Sequence, residues 1–592
     1  MRNQRPGKQA RKRGTVAPRA GAASSNALLS LSAVSRDSSP FLLGVVALAA
    51  CAPAPSPAPA APRAPLAAAE SSYQEVRTLK DAMDVARARG AMRVETGESL
   101  AAVMRAYAPA RDGLAALLGA ADSASLDTVD RRALRTMRLT FANELASDSA
   151  TTEPSAVAPP DCRYDAAAIA ALPGGLDSLR ARLYACYGWA AMHVTVGGEQ
   201  LDRLTVLGRL TDTPDSAERR RLFLALTPLF ASVNGDDGPS SPYRVMIRLS
   251  AEQWKEHGSP VAEAAQQAGI APDSVAPWLE QLLARWRDVT ADSEVEPWDY
   301  DYLAGRADRR LDQAVAAIGL AALNAAYYRA LGADVDSLRV RYDLAPREGK
   351  TPVAYTTFGR RARMVAGGWI PGDEWVFATY RYAGLGNLNE LMHETGHGIH
   401  IAAIRARPAF LDWPDDDAFT EGIADVAALE VYEPAWQQRW LGDSATLAEG
   451  LRARYSAIML DVCWALFEIR MHADPGADPN AVWTRLTHDY LRIRAHPELS
   501  WWARRGQLVD QPGYMSNYAI GAILIADLRA AIIAARGDFA AGDGGWYAWM
   551  SARLYRYGLA KSSRAVIAEF LGRAPSPQAL LDDLGRMRAT RR

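Results

Sequence analysis

The sequence predicts a mainly α protein, one large helical domain interrupted by a single short β segment. Three observations lead there. Apolar residues recur at helical spacing in nearly every stretch beyond Ser71, as in LKDAMDVARARG and LAAVMRAYAPARDGLAALLGA. Only between positions 350 and 382 does the pattern turn strand-like, where RARMVAGGWI and WVFATYRY flank Pro371-Gly372-Asp373 and read as a hairpin. No internal repeat or second linker divides the remainder.

Taken in order, residues 1–50 read as a signal region. Positions 1–40 begin basic, turn Ser- and Ala-rich and lack apolar periodicity. The apolar run Phe41 to Ala50 is too short to span a bilayer and fits a signal-peptide core. Leu48-Ala49-Ala50-Cys51 resembles the bacterial lipobox, so Cys51 is expected to be lipidated, with 51–70 forming a Pro/Ala tether from membrane to domain. The domain proper is placed at 71–592. Helices are expected from 71 to about 145, then a Ser/Thr/Pro loop over 148–161, then helices near 164–208, 215–234, 240–256, 274–289 and 308–331. After the hairpin come further helices near 433–473, 478–495, 517–536 and 544–558, and a helical C-terminal region to 590.

Composition excludes one broad class. The chain carries 67 Lys and Arg against 68 Asp and Glu, interspersed, for a formal net charge of -1. Without a basic stripe interleaved with aromatics there is no footprint for nucleic acid. The four cysteines lie at 51, 162, 186 and 463. For an exported domain, Cys162 and Cys186 are the pair nearest in sequence and are expected to form a disulfide, with Cys463 a buried thiol in a helix.

The chemistry concentrates in LMHETGHGIH, which holds His393, Glu394 and His397 in the order His-Glu-x-x-His. On a helix, residues four apart share a face, so both imidazoles can close on one metal ion while Glu394 leans over the water beside it. Zinc suits that set. With only eight histidines in 592 residues, the pattern is specific. A third ligand must come from elsewhere. Asp415, Asp416 and Asp417 follow Trp413-Pro414 and read as a solvated turn or helix cap. Glu421, early in the helical segment FTEGIADVAALEVY, is better placed, and Asp425 one turn later can orient a ligand histidine through its far nitrogen. Asn387 or Asn389 is expected to cap the motif helix. Gly396 and Gly398 each cost it about 1 kcal/mol against alanine, which points to close approach of another backbone or a substrate. His400 is expected in a second layer or along a channel wall. Downstream, Tyr514 and Tyr518 precede an apolar helix, where a phenol can donate to an oxyanion or simply pack in the core.

HETGH, followed 24 positions after its second histidine by the glutamate of FTEGIADV, resembles the angiotensin-converting-enzyme family of zinc peptidyl dipeptidases, with the thimet oligopeptidases as close relatives. The likeness is strongest from about Arg361 to Ala531. It implies an almost all-helical fold with a deep central channel, one zinc ion on His393, His397 and Glu421, and Glu394 as base. It also implies a strand ahead of the motif helix that pairs with substrate, here Val365, Ala366, Gly367 and Gly368 through Trp369. Tyr518 aligns best with the family's transition-state tyrosine. Gln507 stands near the place of an expected upstream histidine, and Arg505 with Tyr514 resembles the pair that holds a substrate's terminal carboxylate. The expectation is therefore a monomeric bacterial envelope enzyme, lipid-anchored, that cuts short peptides and releases C-terminal dipeptides. The alternatives are an oligopeptidase cutting internal bonds, or an inactive zinc-containing peptide-binding protein.

Overall fold

Helix after helix begins on a side chain that the sequence supplies for the purpose. Ser99, Asp202, Asp215, Ser259, Asp478 and Ser562 each accept a hydrogen bond from a first-turn N–H. Thr446 and Glu449 close a capping box at the start of the long helix Leu447–Ala473. The computed structural model describes residues 66–589 apart from 151–160, 163, 165–166, 168, 170–171, 173–174, 258, 291–292, 348–349, 351–353, 366 and 381–382. The expected signal, Cys51 and nearly all of the tether lie outside the described residues.

Within that span the fold is mainly helical, as expected. Three helices, α1 (Ala67–Ala88), α2 (Leu100–Ala120) and α3 (Thr128–Ala150), share one apolar core with Phe358, Ile401, Ile404 and Phe410. A larger core follows, built on stacked aromatics such as Trp464 and Trp483, 4.9 Å apart. The helix Met515–Arg536 is long and apolar enough to cross a membrane, but most of it is buried against other helices of this core.

The β content differs in detail from expectation. A short hairpin pairs β1 (Val194–Val196) with β2 (Glu199–Leu201). A mixed sheet of order β3-β7-β4 joins β3 (Val340–Asp343), β4 (Tyr355–Arg360) and β7 (Asp373–Phe377), with β7 parallel to β3 and antiparallel to β4. Between β4 and β7, β5 (Arg363–Val365) pairs with β6 (Gly368–Ile370) around a turn. The expected hairpin across Pro371-Gly372-Asp373 is thus replaced: WVFATYRY pairs with the upstream run YTTFGR, and RARMVAGGWI folds back on itself. The reason is local. Gly367 has φ +78, a left-handed value that breaks an extended strand. Val365 through Trp369 therefore spans the ends of two strands and the turn between them rather than one continuous strand, with Ala366 outside the described residues.

Candidate metal centre

The motif helix Leu385–Ala403 starts without a capping asparagine. Asp308 takes that part, its carboxylate accepting from the N–H groups of Leu385 and Gly386, because the helix begins a few residues earlier than Asn387 and Asn389 suggested. Its glycines then set its neighbours. A Cβ on Gly396 would stand 2.3 Å from the Ala424 carbonyl oxygen, on the helix Asp417–Ala428 that carries Glu421. On Gly398 it would meet Val340 of β3 at 3.0 Å. One helix over, a Cβ on Gly422 would stand 3.3 Å from the Gly521 carbonyl oxygen and one on Gly521 would stand 3.3 Å from that of Ala418, so the helix of Tyr518 lies close against that of Glu421. The close approach expected of the motif glycines is thus helix on helix and helix on sheet.

These crossings gather three donor atoms. His393 and His397 turn their Nε2 atoms toward each other at 3.1 Å, and the Glu421 Oε2 lies 3.4 Å from the first and 3.9 Å from the second. All three ligand atoms fall within 4.8 Å of one another. Burial works against charge on His393, but Asp425 and Glu421 outweigh it and raise its pKa well above the imidazole range. Burial, then His393, pushes His397 down to about 3. For Glu421 burial opposes ionisation, yet the His393 hydrogen bond and the imidazole charges bring it down to about 2. An ion bound here would displace the proton held on His393, and two ring nitrogens with an ionised carboxylate facing one point then suit a divalent cation, N/N/O donors being compatible with zinc. Asp425 accepts from Nδ1 of His393 at 2.8 Å, which presents Nε2 to that point.

Glu394 sits beside the triad at 6% exposure. The Thr356 hydroxyl of β4 lies 2.7 Å from its carboxylate and 2.8 Å from its backbone carbonyl, so its one proton is shared between the two acceptors. Burial lifts Glu394 to about 7 against the opposing effects of His393 and Thr356. Thr356 escaped the sequence reading, whose strand was placed one segment too late; the signal available was a β-branched YTTF run ending near the glycine of a bulge. Trp413 packs edge-on against His397 at 5.5 Å, on a loop fixed by the Asp412 ion pairs with Arg77 and Arg361.

The remaining expected residues divide. Tyr514 and Tyr518 pack edge to face at 5.6 Å, and both feel the Glu421 charge. Tyr514 is hydrogen-bonded to Asp417, whereas the Tyr518 hydroxyl accepts from Gln507 at 3.3 Å. Arg505 is paired with Asp461 and stacks on Trp464. Asp416 is a helix cap, accepting from Ala418 N–H, and Asp415 holds Ser563. His400 does not line a channel: it is 1% exposed, enclosed by Trp413, Phe419 and Tyr555. Cys162 and Cys186 form the expected disulfide, and Cys463 is buried and free.

No family model matches the chain, and no curated protein sequence matches it. Among solved structures, the M32 carboxypeptidase from Deinococcus radiodurans R1 aligns over 89% of this chain and 100% of its own, at 15% identity and a TM-score of 0.54. A second, described as the structure of CHT, aligns over 88% and 99% at 13% identity and a TM-score of 0.50. A putative oligoendopeptidase F aligns over 90% and 97% at 14% identity, with a TM-score of 0.49. At these identities the likeness establishes the fold: this chain shares the large helical architecture of the M32 carboxypeptidase over nearly its whole described length.

Proposed function

We propose that this protein is a zinc-dependent peptidase acting on short peptides. The observation that carries the proposal is the convergence of His393 Nε2, His397 Nε2 and Glu421 Oε2 beside a buried carboxylate, Glu394, with its own hydroxyl donor. The fold shared with a protein named as a carboxypeptidase supports it. His393, His397 and Glu421 would hold the ion, which when bound polarises a carbonyl and acidifies water.

The chain's own groups do the rest. Glu394 takes a proton from the attacking water and returns it to the leaving amine; a pKa near 7 suits both directions of transfer. Thr356 holds that carboxylate in place. Tyr518 donates to the developing oxyanion, since its hydroxyl accepts from Gln507 and keeps its own proton to give, while Tyr514 is engaged by Asp417. β4 ends the mixed sheet and touches Glu394, so we infer that it, rather than Val365–Trp369, is the strand that aligns an extended peptide.

Dipeptide release needs a cation for the substrate's C-terminal carboxylate. The Arg505–Asp461 pair is already neutralised, which favours the second mode, cleavage of internal bonds without a carboxylate clamp. Peptides with free and amidated C-termini separate the two: equal internal cleavage supports an oligopeptidase, and loss of cleavage on amidation supports dipeptide release. We further propose export and lipid anchoring at Cys51. The Cys162–Cys186 disulfide supports an oxidising compartment, and mass spectrometry of the mature N-terminus tests the anchor.

A further inference from the structure

Behind the mixed sheet, a cavity of about 190 Å³ opens between the end of α1, the segment 93–96 and the rim formed by β3, β4 and β7. That is larger than the roughly 150 Å³ hollow that accepts a benzene-sized guest. Its walls carry Arg89, Arg93, Arg339, Arg341 and Arg360 but only two carboxylates, Asp373 and Glu95. Asp373 is shared among three guanidiniums, at 2.6 Å from Arg339, 3.1 Å from Arg360 and 3.8 Å from Arg341. Arg89 pairs with Glu95. Arg93 donates to the Gly97 carbonyl, a neutral acceptor. The recess therefore holds a surplus of positive charge at close range.

An aromatic side chain holds one of these guanidiniums in place. Trp375, 5% exposed, lines the recess beneath Arg89, whose guanidinium lies 4.4 Å from the ring centre. Its indole N–H has no hydrogen-bond partner among the described residues and lies against Gly359, another wall residue. Arg339, one of three non-glycine residues with positive φ among those described (φ +65), is held on this rim by its ion pair with Asp373.

We propose that this recess is a binding site for a phosphate-type oxyanion. Planar guanidinium forks match tetrahedral oxyanions in pairs, and a multiply charged ligand offsets the surplus that two carboxylates leave in place. The site is separate from the metal centre and does not rest on the peptidase assignment. Phosphate reaches it either free in solution or as a lipid headgroup.

The test is binding of inorganic phosphate to the purified full chain by isothermal titration calorimetry at low ionic strength, with chloride as the control anion. The variants are Arg341→Lys and the double variant Arg93→Ala/Arg341→Ala, both at exposed positions. Co-sedimentation with phosphatidic acid vesicles, against phosphatidylcholine vesicles, forms the second arm. Phosphate binds and chloride does not; the double variant loses at least tenfold in affinity, and Arg341→Lys, which keeps charge without the fork, falls between. Vesicle binding that the double variant loses, without binding of free phosphate, upholds the site with lipid as the source. Absence of binding in both arms, or equal binding by wild type and double variant, overturns the proposal.

Discussion

Replacing Gly396 by alanine tests how the metal centre is assembled. The new Cβ would stand 2.3 Å from the Ala424 carbonyl oxygen, a backbone atom that no side-chain rotation can move. To reach ordinary contact the two helices must separate by roughly 1 Å. Alanine favours a helix over glycine by about 1 kcal/mol, while overpacking costs typically 1–3 kcal/mol and more when backbone must shift. The balance is a net loss of up to about 2 kcal/mol. The same displacement carries Glu421 away from His393 and His397, although metal–ligand distances tolerate only about 0.2 Å. Zinc affinity should fall at least tenfold, measured by competition with a chelating dye, and the thermal midpoint should drop by several degrees. Gly113, within α2 with nothing within 4 Å of its Cβ position, is the control: Gly113→Ala should raise stability by up to about 1 kcal/mol and leave zinc untouched. If Gly396→Ala behaves like Gly113→Ala, the close crossing of the two helices is wrong.

Other outcomes follow from the same geometry. Glu394→Gln should keep the metal and lose about 10²–10⁴ in kcat, read by peptide hydrolysis beside metal analysis. Glu421→Ala should lose metal, Asp425→Asn should weaken it by about 10–100-fold, and Asp416→Ala should leave it bound. Because burial raises Glu394 to about 7 and a base must be ionised, kcat/KM should fall as pH drops along a limb above the usual carboxylate range, and that limb should be absent in Glu394→Gln. Glu468, fully buried, is raised to about 8 by burial against the N–H bonds from Gly513 and Met515. A raised carboxyl pKa gives stability that is complete below the unfolded value and lost as pH rises through the folded one. Thermal midpoints should therefore decline from about pH 5 to 8, and less steeply in Glu468→Gln.

What the sequence made legible was whatever depends on spacing along one element. His393, Glu394 and His397 share a helical face by periodicity alone, and Glu421 and Asp425 are one turn apart on the next. The mainly helical fold and the Cys162–Cys186 pairing were equally open to local reading. What escaped were pairings between segments. Thr356 reaches Glu394 only because β4 pairs with β7 across an intervening hairpin, a register set by tertiary contact. Asp308 caps a helix that starts 77 residues later. Arg505 looked free for a substrate because its partner, Asp461, lies on a different helix.

We propose that His393, His397, Glu421 and Glu394 together form a metal-dependent peptide-cleaving centre. The most direct measurement is metal content by mass spectrometry together with hydrolysis of a mixed peptide library, before and after removal of metal by a chelator. The expected result is one zinc ion per chain, cleavage of short peptides, loss of cleavage with the metal and recovery when zinc is restored. A wild-type chain that holds zinc on these residues yet cleaves no peptide in the library would contradict it, leaving a peptide-binding protein on the same fold.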